Sequence, residues 1–434
     1  MADFDDAPQT VRARTFFARN PEAADRAVFG RVAHEDRRGF LKGAGLATMA
    51  AMVGAAIPFH RTMPQGLIPV ALASEDLLAG KDGLTLLGER PLNAETPPHL
   101  LDDPITPTAR HFIRNNGLIP EDTSADGWTL TIDGFVEEPL ELTIAELQER
   151  FEVVTAAAVI ECGGNGRAFF DPPARGNQWT YGAVACSEWT GVRLRDILEV
   201  TGLKSEAYYT AHFGADPHLT LDPERRALSR GLPIEKALDP TVLVAFAQNG
   251  EAIDPRNGAP LRLVVPGWPG SCSQKWLTKI TIRDVEHDGQ GMTGQSYRMP
   301  NRPLAPGEEI DNADMVVMEA MPVKSLITHP ATGSEFADRT VEVRGHAWVG
   351  DRAIDRVELS MDFGATWMTT FLDPAVNPGA WYNWRRQVTF PMAGYYELWA
   401  RAVDDHGAAQ PFQAPWNPRG YAGNGIHRVG VRVA

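Results

Sequence analysis

Beyond about Asp314 the chain alternates between apolar and polar side chains in short segments. At 341–349 the odd positions carry Val, Gly or Ala, and the even positions carry Glu, Arg, His and Trp. The same period of two recurs at 357–361, 398–402 and 429–433. Successive side chains of a strand point to opposite faces, so this period predicts strands with one buried face. The region is therefore predicted to form an antiparallel β-sandwich of immunoglobulin type.

An apolar run that is predicted to be a buried strand ends at Cys162 and is followed by Gly163 and Gly164. The glycines let the backbone approach a bound group closely, since no side chain blocks it. Arg167 adds positive charge nearby. A thiolate in an electropositive loop binds soft metals well. Two interpretations are open on this stretch alone, namely a metal-binding thiol and a small core residue.

The composition is that of a globular protein, with 43% hydrophobic and 22% charged residues over 434 positions. This length leaves room for two or three hydrophobic cores. A formal net charge of −15 excludes nucleic acid as a main partner, because phosphate binding requires a basic surface. The sequence has no Cys-x-x-Cys-His, so no covalently attached c-type haem is expected in this chain.

The N-terminal region carries the features of an export signal. Asp-Arg-Arg-Gly-Phe-Leu-Lys at 36–42 precedes a moderately apolar run at 43–58, which resembles a twin-arginine signal and implies a periplasmic protein. The alternative is a surface helix with two adjacent arginines. Cleavage is expected after Ala73 or, alternatively, near 54–56. The run is too short for an ordinary membrane span, so no spanning segment is predicted.

Several sequence blocks share the order and spacing of one known family. They are Phe-Ile-Arg-Asn at 112–115, Cys-Gly-Gly-Asn-Gly-Arg at 162–167, Trp-Thr-Tyr-Gly-Ala-Val at 179–184, Glu-Trp-Thr-Gly-Val-Arg-Leu-Arg-Asp-Ile at 188–197, Ser-Met-Asp-Phe-Gly-Ala-Thr-Trp at 360–367 and Trp-Asn-Pro-Arg-Gly at 416–420. Together they resemble the sulfite oxidase family of molybdenum enzymes over roughly residues 85–434.

The resemblance implies an α+β, mostly β fold. A sulfite-oxidase-type molybdopterin domain would be followed by an immunoglobulin-like β-sandwich that forms the dimer. The expected boundaries are a disordered leader with the twin-arginine signal at 1–73, an N-terminal packing arm at 74–105, the molybdenum-cofactor domain at 106–313 and the dimerisation domain at 314–434.

The resemblance also implies roles for individual residues. Cys162 would ligate a single molybdenum ion through its sulfur, beside the dithiolene of molybdopterin. The other residues that match cofactor contacts are Phe112, Ile113, Arg114, Asn115, Asn116, Asp216, Asn257, Arg262, Ser273, Gln274 and Lys275. Those that match the substrate pocket are Arg114, Arg167, Trp179, Tyr297 and Arg419. Cations and hydroxyls suit the terminal phosphate of the pterin and an anionic sulfur substrate.

Some of these residues also have a purely structural interpretation. The alternatives are a surface ion pair for Arg114 and a solvated strand-end charge for Lys275. Tyr297 has loop packing as its alternative, and Arg419 has stabilisation of a loop.

Three positions depart from the usual residues of the family. Asn116 and Asn257 stand in place of histidine, and Cys272 stands in place of arginine. Unlike histidine, an asparagine amide does not take up a proton or a positive charge at neutral pH. Reactions at the site are therefore expected to be less coupled to proton transfer. Cys186 and Cys272 are expected to be buried and reduced, with a Cys186–Cys272 disulfide as the alternative.

The implied chemistry is oxidation of a sulfur oxyanion or sulfane. A molybdenum centre of this type takes up two electrons while an oxygen atom passes to sulfur. The electrons leave one at a time, which implies a c-type cytochrome subunit as partner.

The Cys-Gly-Gly-Asn and Phe-Ile-Arg-Asn-Asn sequences look closer to the molybdenum subunit of sulfane dehydrogenases, from the bacterial thiosulfate-oxidising system. That likeness implies sulfane sulfur on a carrier protein as substrate, a dihaem cytochrome partner, and a homodimer within a heterotetramer. The alternatives are a periplasmic sulfite dehydrogenase that acts on free sulfite and, from another class, a non-catalytic assembly or binding subunit.

Overall fold

The computed structural model describes residues 77–434. The predicted leader, export signal and cleavage sites, and the first three residues of the predicted arm, lie outside the described residues. Within the described residues, no helix has the length and apolar character that crossing a membrane requires.

The N-terminal arm was expected to be an extended packing segment, and its middle part, residues 85–95, forms a β-hairpin. Strands β1 (Thr85–Glu89) and β2 (Leu92–Glu95) pair antiparallel, and β2 also pairs with β3 (Ile113–Arg114). Asn93 lies opposite Arg114 in this register. The hairpin therefore fixes the backbone of a predicted site residue, which a loosely packed arm would not do.

The body of the first domain, defined here as β1 to β14, contains two further sheets and short helices. Its strands are β4 (Thr129–Gly134), β5 (Leu140–Thr143), β6 (Val153–Glu161), β7 (Val184–Arg193), β8 (Tyr209–Gly214), β9 (Leu243–Gln248), β10 (Glu251–Ala252), β11 (Arg262–Val264), β12 (Leu277–Arg283), β13 (Arg298–Pro300) and β14 (Met315–Val317). Its helices are α1 (Ile144–Arg150), α2 (Leu194–Thr201) and α3 (Ile234–Ala237).

One sheet has the order β10-β9-β7-β6, with β11 also paired to β9, and the other has the order β5-β4-β12-β8. Strand β12 runs parallel to β4, whereas its other neighbour is antiparallel. Helix α1 begins at a capping box in which Thr143 and Glu146 satisfy each other's backbone N–H groups. The two-stranded ribbon β13–β14 leads into the second domain.

The second half of strand β6, residues 157–161, is buried on both faces, which explains the apolar run that precedes Glu161. Ala158 and Ile160 pack in a cluster with Trp189 inside the first domain. Ala157 and Val159 face the second domain instead. Burying a Val or Ile side chain stabilises a fold by about 1.5–3 kcal/mol. The strand is therefore a firm support for the residue that follows its end.

The second domain, called the sandwich, consists of two packed antiparallel sheets with one short parallel pairing. Its strands are β15 (Lys324–His329), β16 (Glu335–Phe336), β17 (Thr340–Trp348), β18 (Ile354–Ser360), β19 (Met368–Thr369), β20 (Phe371–Leu372), β21 (Tyr382–Thr389), β22 (Gly394–Asp404) and β23 (His427–Val433). The sheets have the orders β15-β17-β21-β20 and β16-β23-β22-β18-β19, with β16 parallel to β23. The predicted sandwich is confirmed.

The predicted alternation holds along most of β17 and then stops. Val341 and Val343 are buried, while Glu342 and Arg344 are half-buried. The last three residues, 346–348, are all buried. This end of the strand faces the first domain, where Trp348 packs with residues of β6 and β7. Burial by a neighbouring domain overrides the period of two.

All three cysteines are buried and unpaired. Cys186 lies on β7 at the contact between the two domains, opposite Val159 of β6. Burial raises the pKa of the Cys186 thiol to about 12. It therefore behaves as a small core residue, in agreement with the preferred sequence interpretation.

Mild acid is expected to destabilise the contact around His346. Burial lowers the pKa of His346 to about 4, from an ordinary value of 6.5. Between these values the unfolded chain binds a proton that the folded protein excludes. Each unit of pH lowered in this window therefore favours unfolding by up to about 1.4 kcal/mol.

Urea unfolding of wild-type protein and His346→Gln at about pH 7.5 and about pH 5 measures this effect. The variant should lose less stability than the wild type between the two conditions. An equal loss in both proteins would contradict the assignment to His346.

Candidate active site

The residues that follow β6 form a tight turn, called here the Cys162 turn (residues 162–166). The backbone N–H of Cys162 donates to Ala183 O at 2.9 Å, and that of Asn165 donates to Cys162 O at 2.8 Å. Gly166 has φ +92°, and a Cβ there would lie 2.9 Å from Gly423 O. A Cβ on Gly164 would lie 2.3 Å from the Arg167 guanidinium. Glycines at these positions therefore let the backbone of the turn pack closely against Gly423 and Arg167.

A cavity on one side of Cys162, called the first cavity, comprises about 620 Å³ of space not filled by protein atoms, including the part open to solvent. Most of the predicted cofactor residues lie along its walls, although they come from distant parts of the sequence. They are Phe112, Arg114, Asn116, Cys162, Asp216, Asn257, Arg262, Ser273, Gln274 and Lys275. The fold thus assembles the residues that the family resemblance selected.

Two buried cations in the first cavity, Lys275 and Arg262, form no direct ion pair with a carboxylate of the described residues. Among the described residues, no carboxylate oxygen lies within 4.0 Å of Lys275 Nζ or of the Arg262 guanidinium. Lys275 Nζ donates to Asn115 Oδ1 and, at 2.8 Å, to Arg256 O. Arg262 Nη1 donates to Asn257 O at 2.6 Å. Burial lowers the pKa of Arg262 to about 9, and burial together with the Arg262 charge lowers the pKa of Lys275 well below its usual value.

Such a pair of cations is costly without an anion beside it, because each charge has lost its hydration. A phosphate group would offset that cost through charge-assisted hydrogen bonds. The buried Asn115 Nδ2 and Gln274 Oε1 also lack a hydrogen-bond partner in the structure. These groups could bind the donors and acceptors of a pterin. The residues present therefore fit a phosphorylated molybdopterin.

Asp216 adds a titratable acid to the same wall. Burial raises the pKa of its carboxyl to about 6, although Lys275 acts in the opposite direction. Near neutral pH this group is mainly ionised and can accept hydrogen bonds from a heterocyclic ring. A position of Asp216 beside the pterin ring agrees with its ability to accept these hydrogen bonds.

A second cavity opens to solvent on the other side of Cys162. Arg114, Asn116, Cys162 and Tyr297 line both cavities, so the thiol lies where they meet. Arg114 Nη2 donates to Tyr297 OH at 3.1 Å, and the Asn116 amide lies 3.3 Å from the same hydroxyl. Burial is the main cause that raises the pKa of Tyr297. Its phenol therefore stays protonated and can donate a hydrogen bond to a bound group.

Arg167 and Arg419 complete the second cavity. Arg167 Nε donates to Arg419 O at 2.8 Å, and Arg167 Nη1 donates to Asn177 O at 2.9 Å. The Arg167 guanidinium also lies over the Tyr421 ring at 5.2 Å. Arg419 Nε is buried without a hydrogen-bond partner. Since neither arginine has a carboxylate within 4.0 Å among the described residues, their charge is available to an anionic substrate.

Three predicted residues lie elsewhere. Asn115 lines only the second cavity, although its side chain reaches Lys275. Ile113 packs in a hydrophobic cluster under the N-terminal hairpin. Trp179 is fully buried in the same cluster as Cys162, with its ring edge-on to Phe112 at 6.4 Å. The structure does not bring Ile113 or Trp179 to the wall of either cavity.

Sequence reasoning missed other residues around the site. His111 lines the first cavity and stacks on Phe112 at 5.3 Å, and burial is the main cause that lowers its pKa. Lys81 Nζ donates to Asn257 Oδ1 at 2.7 Å, and burial lowers its pKa to about 8. His111 could have been found as the immediate neighbour of a matching block. Lys81 has no local signal, because it reaches the site from the N-terminal segment.

Comparison with known proteins bears on this arrangement. The family described as "oxidoreductase molybdopterin binding domain" matches residues 116–291, and the "Mo-co oxidoreductase dimerisation domain" family matches residues 315–434. The mitochondrial sulfite oxidase of Drosophila melanogaster is 33% identical over 366 residues, which are 80% of this chain and 62% of that protein. Sulfite oxidase of Gallus gallus is 31% identical over 376 residues, covering 83% of this chain and 81% of that protein.

Among solved structures, the sulfane dehydrogenase SoxCD from Paracoccus pantotrophus is similar, with a TM-score of 0.68 and 27% identity. The match covers 87% of this chain and 95% of that chain. Both domain families thus match in order, and the chicken relative is covered over most of its length. From these matches and the paired cavities at Cys162, we conclude that this chain belongs to the sulfite oxidase family.

Proposed function

We propose that the protein is a periplasmic molybdenum oxidoreductase subunit that oxidises carrier-bound sulfane sulfur and passes the electrons to a c-type cytochrome subunit. In this proposal Cys162 ligates the metal of a molybdopterin cofactor bound in the first cavity. The sandwich forms a homodimer, and the cytochrome completes a heterotetramer. When bound, the cofactor accepts two electrons at a time while an oxygen atom from water is added to sulfur.

The observation that carries the proposal is the second cavity. It opens to solvent and has Arg114, Arg167 and Arg419 in its lining together with the Cys162 thiol. Planar guanidinium groups bind oxyanions and thiolates through charge-assisted hydrogen bonds. The three arginines would hold the sulfur group, and the Tyr297 hydroxyl would orient its oxygen atoms. An open mouth also admits a substrate that remains attached to a protein arm.

The choice of sulfane over free sulfite is supported by one uncharged position in the pocket. Asn116, in place of the histidine usual in the family, contacts Tyr297 and contributes no charge. Removal of a potential cation favours the singly charged sulfane over the more highly charged sulfite. The likeness to a sulfane dehydrogenase over 95% of that chain supports the same choice.

Cytochrome reduction distinguishes the two substrates. Metal-analysed protein, purified with its partner subunit, is given free sulfite or a synthetic peptide that carries a cysteine persulfide. Complete oxidation of the cysteine persulfide (R–S–S⁻) to the cysteine S-sulfonate (R–S–SO3⁻) consumes three waters and releases six electrons and six protons. Oxidation of sulfite to sulfate consumes one water and releases two electrons and two protons. We expect molybdenum in the protein, and near six cytochrome haems reduced per persulfide.

Fast turnover of sulfite with little persulfide oxidation would instead favour a periplasmic sulfite dehydrogenase. The similarity to two animal sulfite oxidases supports that second candidate. Protein that contains no molybdenum when isolated from its natural source would favour a non-catalytic assembly subunit.

A further inference from the structure

The residue immediately before Cys162 is a buried carboxylate with three side-chain donors. Glu161 ends strand β6 and is 2% exposed. Its Oε1 accepts hydrogen bonds from Lys324 Nζ and, at 2.9 Å, from Asn165 Nδ2. Its Oε2 accepts from Trp348 Nε1 at 2.8 Å. Both oxygens of the carboxylate thus accept hydrogen bonds from protein donors, in a position almost closed to water.

Two of these donors belong to the sandwich. Lys324 begins β15 and Trp348 ends β17, and the two residues lie directly opposite each other in the antiparallel register. One cross-strand pair of the second domain therefore binds both oxygens of Glu161. The Lys324 side chain is itself buried, at 6% exposed. A buried ion pair of this kind has a defined geometry, because loss of either partner leaves a charge without solvation.

The third donor closes the Cys162 turn. Asn165 Oδ1 accepts from the Ala183 N–H at 3.1 Å, while Ala183 O accepts from the Cys162 N–H at 2.9 Å. Glu161 therefore holds the side chain that joins the two ends of the turn. The sandwich also contacts the turn directly, since the Ala422 N–H donates to Gly163 O at 2.9 Å.

We infer that the sandwich domain positions the metal-binding thiol: Lys324 and Trp348 fix the Glu161 carboxylate, which fixes the backbone of the Cys162 turn. Lys324, Trp348 and Glu161 are positioning residues, and none of them lines the first cavity. The second domain then does more than form a dimer. This inference rests on the proposed role of Cys162 as metal ligand. Residues that orient a metal ligand typically change metal affinity or activity by about 10–100-fold when replaced.

The competing explanation is that the ion pair only stabilises the contact between the domains. A matched control exists, because Lys236 of the first domain pairs with Asp351 near the start of the sandwich at 2.7 Å. Lys236 is 8% exposed and lies outside the Cys162 turn. Lys236→Met therefore removes an interdomain ion pair with a similarly buried lysine, although its Asp351 partner is 46% exposed, without touching the turn.

The experiment compares wild type, Lys324→Met, Glu161→Gln and Lys236→Met as cofactor-containing proteins. Each is assayed for molybdenum content, thermal midpoint, kcat, and the electron paramagnetic resonance of the one-electron-reduced metal. The first two variants should change the g-values of the signal and lower kcat about tenfold. The control should lower the midpoint and leave the g-values unchanged.

Unchanged g-values in Lys324→Met and Glu161→Gln, with a midpoint loss like that of the control, would overturn the inference. If those variants do not fold, the g-values of Trp348→Phe decide between the two explanations. This variant keeps an aromatic ring at the domain contact and removes the N–H donor to Glu161 together with part of the indole. Failure of the proposed function is distinguishable, since it would appear as absence of a molybdenum signal in the wild type.

Discussion

Cys162→Ser is expected to reduce turnover by at least ~10³-fold, which corresponds to about 4 kcal/mol of transition-state stabilisation. A serine hydroxyl is a harder and far less acidic ligand than a thiol, so it cannot replace a thiolate on molybdenum. The first cavity keeps Lys275, Arg262 and its other polar groups in this variant. Pterin should therefore remain bound while the absorption that arises from the cysteine–metal bond disappears.

Cys186→Ser is the matched control, because Cys186 is also buried and lies one strand away on β7. It lines neither cavity. This variant should retain the metal absorption and turn over at a rate close to that of the wild type. If Cys162→Ser retained both the absorption and turnover, its role as metal ligand would be wrong.

Lys275→Met is expected to weaken cofactor retention by about 10–100-fold, since a hydrogen bond to a charged group contributes about 1.5–3 kcal/mol. The lysine and Arg262 are buried cations of the first cavity, and no carboxylate of the described residues lies within 4.0 Å of either. Pterin content after extensive dialysis, measured from the fluorescence of the oxidised pterin, reports the loss. The kcat per bound molybdenum should change much less than the pterin content.

The control for this variant is Lys279→Met on strand β12, close in sequence to Lys275. Lys279 pairs with Asp133 at 2.7 Å, and its side chain is 42% exposed. The variant should retain its cofactor, because an exposed ion pair contributes little. Equal pterin loss in the two variants would show that Lys275 acts through general stability rather than through the phosphate.

The sandwich could be predicted from the sequence, because its strands bury one face and expose the other. That arrangement produces the alternation of apolar and polar residues along β17 and β18, where Val341, Val343, Val357 and Leu359 are buried. The prediction failed locally at the end of β17, where the first domain covers the outward face as well. The N-terminal hairpin was missed for a related reason, since the segment has no clear period.

The candidate site was predictable in residue type but not in geometry. The apolar run, the cysteine and the following glycines placed a thiol at a strand end, and the family resemblance supplied most of the cavity walls. Trp179 matched the pattern as well, yet it lies in the core beside Phe112. A match of sequence blocks fixes the order of residues along the chain. It does not fix which side chains face a cavity.

By itself the sequence determined the two-domain organisation and the thiol at the end of a buried strand, because both depend on local patterns of a few residues. Only the tertiary structure decided which distant residues meet that thiol. Arg167 and Arg419 are 252 positions apart, and Glu161 and Lys324 are 163 positions apart. Contacts across such distances arise from the packing of one domain on another. Each such contact involves one residue on either side. It therefore produces no repeating sequence pattern from which it could be predicted.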